Sequence, residues 1–186
     1  MSAQTAVDTR SRIQEVALRL FIENGYEATS LREIAEEIGV TKAALYYHFK
    51  SKDEIVTSLI DDNELRLKAL VEWGKSLPRT PEGRATFVRR YADELYVGRN
   101  LDMMRFFERN QTALRENVKS ERMRDTMLSL LGLLSDGDSP LATKLRSSLA
   151  IFAIHASSFV LRDQKITEEE RKAAALEVAL DLIKQQ

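Results

Sequence analysis

The sequence predicts an all-α protein of about nine helices: an N-terminal three-helix domain with a helix-turn-helix, followed by a larger helical domain. Three observations carry that expectation. Apolar residues recur at helical spacing along most of the 186 residues. Only three prolines and seven glycines are present, and several fall where the periodic segments stop. Serine or threonine followed three residues later by glutamate, the sequence sign of a capped helix start, opens three of the segments.

The elements follow in order. Ile13, Val16, Ala17, Leu20 and Phe21 form one apolar stripe, and Asn24-Gly25 ends it because glycine accepts the left-handed backbone a helix terminus often uses. Ser30-Leu31-Arg32-Glu33 caps a second, short helix with Leu31, Ile34, Ala35 and Ile38 inward, closed by Gly39. Thr41 caps a third, with Leu45 and Phe49 inward. Ser51-Lys52-Asp53-Glu54 opens a long fourth helix running to about Trp73. Pro78 and Pro81 mark the next break. Helices are expected over Pro81–Val97, Leu101–Arg109 and Thr112–Leu134. Ser139 is expected to cap a helix over Leu141–Leu161, with Pro140 in its first position. Thr167 caps the last helix, with Leu176, Ala179, Leu180 and Ile183 inward. The expected domains are residues 1–55 and 56–186, sharing the fourth helix.

Composition narrows the function. The absence of cysteine removes disulfides and thiolate metal sites. The only histidines, His48 and His155, lie far apart in sequence, so no metal site and no cofactor are expected. No apolar run approaches the ~18 residues of a membrane span, and the N-terminus lacks a signal-peptide core, so a cytoplasmic protein without a membrane partner is expected. Net charge is only −1. Residues 1–55 carry seven Lys/Arg against nine Asp/Glu, so any basic surface is local. It falls in Thr41–Lys52, which holds three lysines and no acid.

Two short helices joined at Gly39, the second with an outward polar and aromatic side, have the layout of a helix-turn-helix. Small Ala35 and apolar Ile34, Ile38, Val40 and Leu45 let the helices cross closely. The third helix can then enter a major groove with its first residues against base edges. Lys42 suits guanine O6 and N7, and Ala43 is small enough for close backbone approach. Tyr46 and Tyr47 offer hydroxyls to phosphates and rings to thymine methyls. His48 and Lys52 sit where the chain turns toward the DNA backbone, and Thr29 and Ser30 suit the other side of the groove. Adjacent tyrosines lie about 100° apart on a helix, so both cannot be core.

The stretch "TSLREIAEEIGVTKAALYYHFKSKDEI" resembles the DNA-binding domain of the TetR-type (tetracycline-repressor-like) transcriptional regulators. The resemblance covers roughly Arg10–Leu59, and the "LYYHF" core followed by "KSKDEI" is its most specific part. It implies base-side contacts at Lys42, Ala43 and Tyr46, and phosphate contacts at Thr41, Tyr47, His48 and Lys52. Ala43 departs from the pattern, since many relatives have glycine there. The resemblance also implies a divergent second domain that dimerises and binds a small effector, and a ligand-gated repressor that leaves a palindromic DNA operator when the effector binds.

The second domain carries no motif of its own. It is rich in bulky, adaptable side chains, from which Tyr91, Met104, Phe107, Phe152, His155 and Phe159 are the candidate effector contacts. Small residues along Leu141–Leu161 suit close helix contact, and the last two helices are expected to form a homodimer through a four-helix bundle. Alternatives stay open: an activator, an adaptor without an effector, or a helical hydrolase. For the last, "GDS" at Gly137–Ser139 resembles a nucleophile motif, but no strand precedes it and no Asp-x-x-His occurs. Asn110-Gln111-Thr112 fits a glycosylation sequon, which a cytoplasmic chain would not use.

Overall fold

The computed structural model describes residues 3–110, 120–161 and 164–184. Among them are nine helices and no strand: α1 (Ala3–Glu23), α2 (Leu31–Ile38), α3 (Lys42–His48), α4 (Lys52–Lys75), α5 (Pro81–Leu95), α6 (Arg99–Arg109), α7 (Ser120–Leu134), α8 (Leu141–Val160) and α9 (Glu168–Lys184). The expected start of the seventh helix at Thr112 lies outside the described residues.

The helix starts for which the sequence predicts a cap follow that chemistry with two exceptions. Ser30 and Thr167 form complete boxes: each hydroxyl accepts the N–H three residues on, and Glu33 or Glu170 accepts the cap's own N–H. Thr80 caps α5, with Pro81 in the first turn. At α4 the box is only half formed. Ser51 Oγ accepts from Glu54 N at 3.1 Å, but the Glu54 carboxylate accepts from Lys50 N instead. At α8 the cap is Pro140 rather than Ser139, whose hydroxyl accepts from Asp136 N within the preceding turn.

The chain divides into two compact units, residues 1–64 with 98–119, and residues 65–97 with 120–186. The division differs from a cut at residue 55, and packing explains why. Ile55, Val56, Leu59 and Ile60, on the first half of α4, share a core with Ile13, Phe21, Ile34, Leu45 and Phe49. Met103 and Phe106 of α6 join the same core, Phe106 lying 5.6 Å from the Phe21 ring. Burial of this apolar surface, worth about 25 cal/mol per Å², thus extends the first unit well beyond its first three helices. The second unit has its own core, built by Leu70 and Val71 with Phe87, Tyr91, Leu130, Ile151, Ile154 and Leu180. There α8 packs extensively on α9, and α9 on α5.

Candidate nucleic-acid interface

The α2–α3 pair forms because its larger aliphatic residues and Phe49 pack inward. Ile34, Ala35 and Ile38 of α2 are buried, and so are Leu45 and Phe49 around α3. Gly39 takes a left-handed φ of 77°, which glycine reaches without a Cβ penalty, and the following Val40 N–H closes on Ala35 O at 3.0 Å. That turn redirects the chain into α3 within three residues.

With its inner side fixed, α3 presents Thr41, Lys42 and Ala43 to solvent, together with Tyr47, which is 75% exposed. Thr41 Oγ1 accepts the Ala44 amide at 3.1 Å, so its hydroxyl proton remains available to an outside acceptor. Tyr46 is half-buried, its ring packed at the edge of the core, with Lys42 Nζ 5.4 Å from the ring centroid. His48 packs edge-on against Tyr47 at 5.2 Å between centroids. Lys50 is taken up locally, its ammonium donating to Tyr46 O.

Beside this helix lies an open cleft of about 450 Å³, lined among others by Ser30, Arg32, Lys42, Tyr46 and Lys52. Three cations thus face one concavity. Lys52 does not reach freely into solvent: its ammonium donates to Tyr26 O at 2.5 Å and Glu27 O at 3.3 Å, and sits 4.5 Å from the Tyr26 ring centroid. Arg32 pairs with Glu36 at 2.7 Å on an exposed helix face, a pair of small energetic weight. The Glu33 carboxyl is held below its ordinary range, first by the Ser30 amide and then by the Ser30 hydroxyl. It therefore stays ionised at the α2 N-terminus, where it complements the helix dipole.

One expected contact does not survive. Thr29 is 1% exposed, and its hydroxyl donates to Leu20 O and Gly25 O, binding the α1–α2 turn together. Although it is among the residues lining the cleft, its hydroxyl hydrogen is already used within the fold. Ser30 stays exposed, its Oγ accepting the Glu33 amide at 3.2 Å. Arg32 and Tyr26 are absent from the sequence-based set. Arg32 is legible as the outward residue of the α2 capping box, whereas Tyr26 carries no local signal.

The effector candidates are divided between the two units. Met104 and Phe107 belong to the first unit, where Phe107 packs at the edge of its core. Phe152 and Phe159 are 64% and 68% exposed on α8. Tyr91 and His155 meet within the second unit, the Tyr91 hydroxyl lying 2.5 Å from His155 Nε2. They end a run of rings in which Trp73, Phe87 and Tyr91 stack in succession. The reason for the split is periodicity: an aromatic on a helix can serve a core, a surface or a cavity with the same spacing.

Burial pushes the His155 pKa below its ordinary value of about 6.5 and the Tyr91 phenol up. The unfolded chain therefore binds a proton at His155 more readily than the folded one. That contribution to stability is complete above pH ~6.5 and is lost as pH falls through the folded pKa. The melting temperature is expected to drop between pH 7 and pH 5.5, and His155→Gln to flatten that drop. An unchanged slope in the variant would show that His155 does not titrate with folding.

Comparison with known proteins adds independent findings. Residues 13–59 match the family model described as bacterial regulatory proteins, tetR family. The HTH-type transcriptional regulator AcrR of Shigella flexneri is 40% identical over 79 residues, 42% of this chain and 37% of that protein. The chain thus aligns with little more than a third of that curated relative's length. Among solved structures, the TetR family transcriptional regulator PfmR of Thermus thermophilus superposes with a TM-score of 0.69. It is 27% identical, and the match covers 91% of this chain and 97% of that one. The regulator FadR of Bacillus subtilis, crystallised in complex with stearoyl-CoA, shares the fold with a TM-score of 0.68 at 22% identity. There too the match covers 91% of this chain and 97% of the other.

Proposed function

We propose that this chain, whose residues 13–59 match the tetR-family model and whose helical fold is similar to that of a TetR-family regulator, is a TetR-type, ligand-responsive transcriptional repressor. It binds a palindromic operator as a homodimer and leaves it when a small molecule occupies the second unit. The observation that carries the DNA reading is the division of α3 into two sides. Leu45 and Phe49 are wholly buried, while Lys42, Ala43 and Tyr47 are exposed next to a cleft with Lys52 and Arg32. A packing helix has no need of that outer side, whereas a groove-reading helix does.

Within this reading Lys42 donates to base edges, and Thr41, Tyr47 and His48 contact phosphates. Lys52 adds a positive charge at the cleft. Phosphate contacts supply affinity and register, and base contacts supply discrimination. Assembly through α8 and α9 places two reading helices one DNA turn apart, ~34–36 Å. Support for it comes from α8, where Leu141, Leu145, Leu149, Phe152, Phe159 and Val160 are exposed at helical spacing, with Val178 exposed on α9. Release on effector binding needs a differential affinity between two states of the dimer. The continuous 24-residue α4 connects the two units covalently and suits that role. The FadR likeness, with its bound stearoyl-CoA, supports a second unit that accepts a small molecule.

Titration on genomic fragments at several salt concentrations tests the reading. A palindromic site is expected, with affinity falling as salt rises. Lys42→Ala is expected to relax discrimination at one base pair per half-site, an effect of about 1–3 kcal/mol there. Retained operator selectivity in that variant would remove Lys42 from the reading surface.

A further inference from the structure

Tyr26 lies in the turn between α1 and α2, outside every element that faces DNA, yet four separate contacts converge on it. Its phenol donates to Asp53 Oδ1 at 2.6 Å. Its ring lies beneath the Lys52 ammonium, 4.5 Å from the centroid. Its carbonyl accepts from the same ammonium at 2.5 Å. Its backbone N–H donates to Asn110 Oδ1 at 3.1 Å. The ring is itself wedged between Phe21 and Phe106, at 5.1 and 6.2 Å, and is largely buried.

We infer that Tyr26 is a positioning residue for DNA binding that seats Lys52 at the cleft, and that Asn110 at the end of α6 holds Tyr26 in place. The proposal rests on the DNA-binding reading above and deepens it. A lysine on a flexible four-carbon stem loses substantial rotamer freedom when it is fixed, so a lysine already fixed binds a phosphate at lower cost. Here two ammonium hydrogens are spent on the Tyr26 and Glu27 carbonyls. An ammonium has three, so one remains for a phosphate oxygen at the cleft.

Asn110 is suited to hold the seat because its amide is used at both ends. Nδ2 donates to Phe106 O at 2.9 Å, which closes the last turn of α6 and sets the orientation of the side chain. Oδ1 is then directed at the Tyr26 amide, a backbone donor that has no helical partner in this turn. A carbonyl seat placed by α6 thus fixes the distance between Lys52 and the α2 N-terminus.

A double-mutant cycle on the full chain separates positioning from plain stability. Operator affinity and melting temperature are measured for the wild type, Asn110→Ala, Lys52→Ala and the double variant. Lys52→Ala is expected to bind about tenfold more weakly and to reduce the salt slope by about one. Asn110→Ala is expected to lose about fivefold in affinity. In the Lys52→Ala background the further loss from Asn110→Ala should vanish, while its effect on melting temperature persists. Tyr26→Leu removes the ring beneath the ammonium and is the second entry to the cycle, while Tyr26→Phe keeps ring and carbonyl, loses only the bond to Asp53 and serves as the control expected to keep its affinity. If the fivefold loss is additive with Lys52→Ala, or if Asn110→Ala and Tyr26→Leu leave affinity unchanged, the positioning role is overturned. A wild type without salt-dependent DNA binding would overturn the underlying reading instead.

Discussion

If the chain dimerises through α8 as proposed, replacing Leu145 and Phe152 together with glutamate is expected to yield a monomer and to weaken operator binding at least a hundredfold. Both side chains are mostly exposed on α8, at 60% and 64%, so neither change removes core packing from the single chain. Together with Leu141, Leu149, Phe159 and Val160 they form a continuous apolar stripe, which an isolated soluble helix face would not keep exposed. Placing four carboxylates across a two-fold contact opposes association by desolvation and by like-charge repulsion.

The loss in DNA binding comes from valency. In a dimer the second half-site is bound from an effective concentration set by the first, worth about 10²–10⁴ in affinity. Light scattering should report half the mass. The melting temperature should lose its dependence on protein concentration, because a dimer is stabilised by mass action and a monomer is not. A variant that remains dimeric would move the interface off α8.

The second large effect is expected at Gly83. Alanine stabilises a helix interior by about 1 kcal/mol over glycine, so even in the first turn of α5, where Gly83 sits, propensity alone predicts a gain. The tertiary structure predicts the opposite sign. A Cβ at Gly83 would lie 2.0 Å from the Pro78 carbonyl oxygen, which is backbone and cannot swing aside. The Gly83 amide is also the donor to the Thr80 cap, so moving the helix away costs that hydrogen bond. Gly83→Ala is expected to destabilise by about 2–4 kcal/mol, a fall in melting temperature of about 5–15 °C for a chain of this size. Gly132 on α7 supplies the contrast. Its Cβ position is open, and Gly132→Ala is expected to raise the melting temperature by a few degrees. Thermal melts of the two variants beside the wild type decide it, and a gain at Gly83 would show that the Pro78 turn yields.

Range separates what the sequence reveals from what it hides. Capping boxes at Ser30 and Thr167, the stop at Gly39 and the inward Leu45 and Phe49 are all legible, because each depends on residues within four positions of one another. So is the exposed side of α3, since a helix that buries two residues four apart must turn the others out. Thr29 is misjudged from sequence because its partners, Leu20 O and Gly25 O, belong to the end of the preceding helix and its turn. The placing of the effector candidates is hidden for a related reason: Met104 and Phe107 join the first unit, where α6 packs on α1.

By itself, then, the order of residues determined the helices, their caps and the chemistry offered by α3, since local hydrogen bonds and helical period are properties of neighbouring positions. Which helix shares which core, where Lys52 is anchored and which aromatics meet were decided only in three dimensions. Those outcomes rest on contacts between residues far apart in sequence, such as Tyr26 with Asn110 or Tyr91 with His155, and no short-range pattern encodes them.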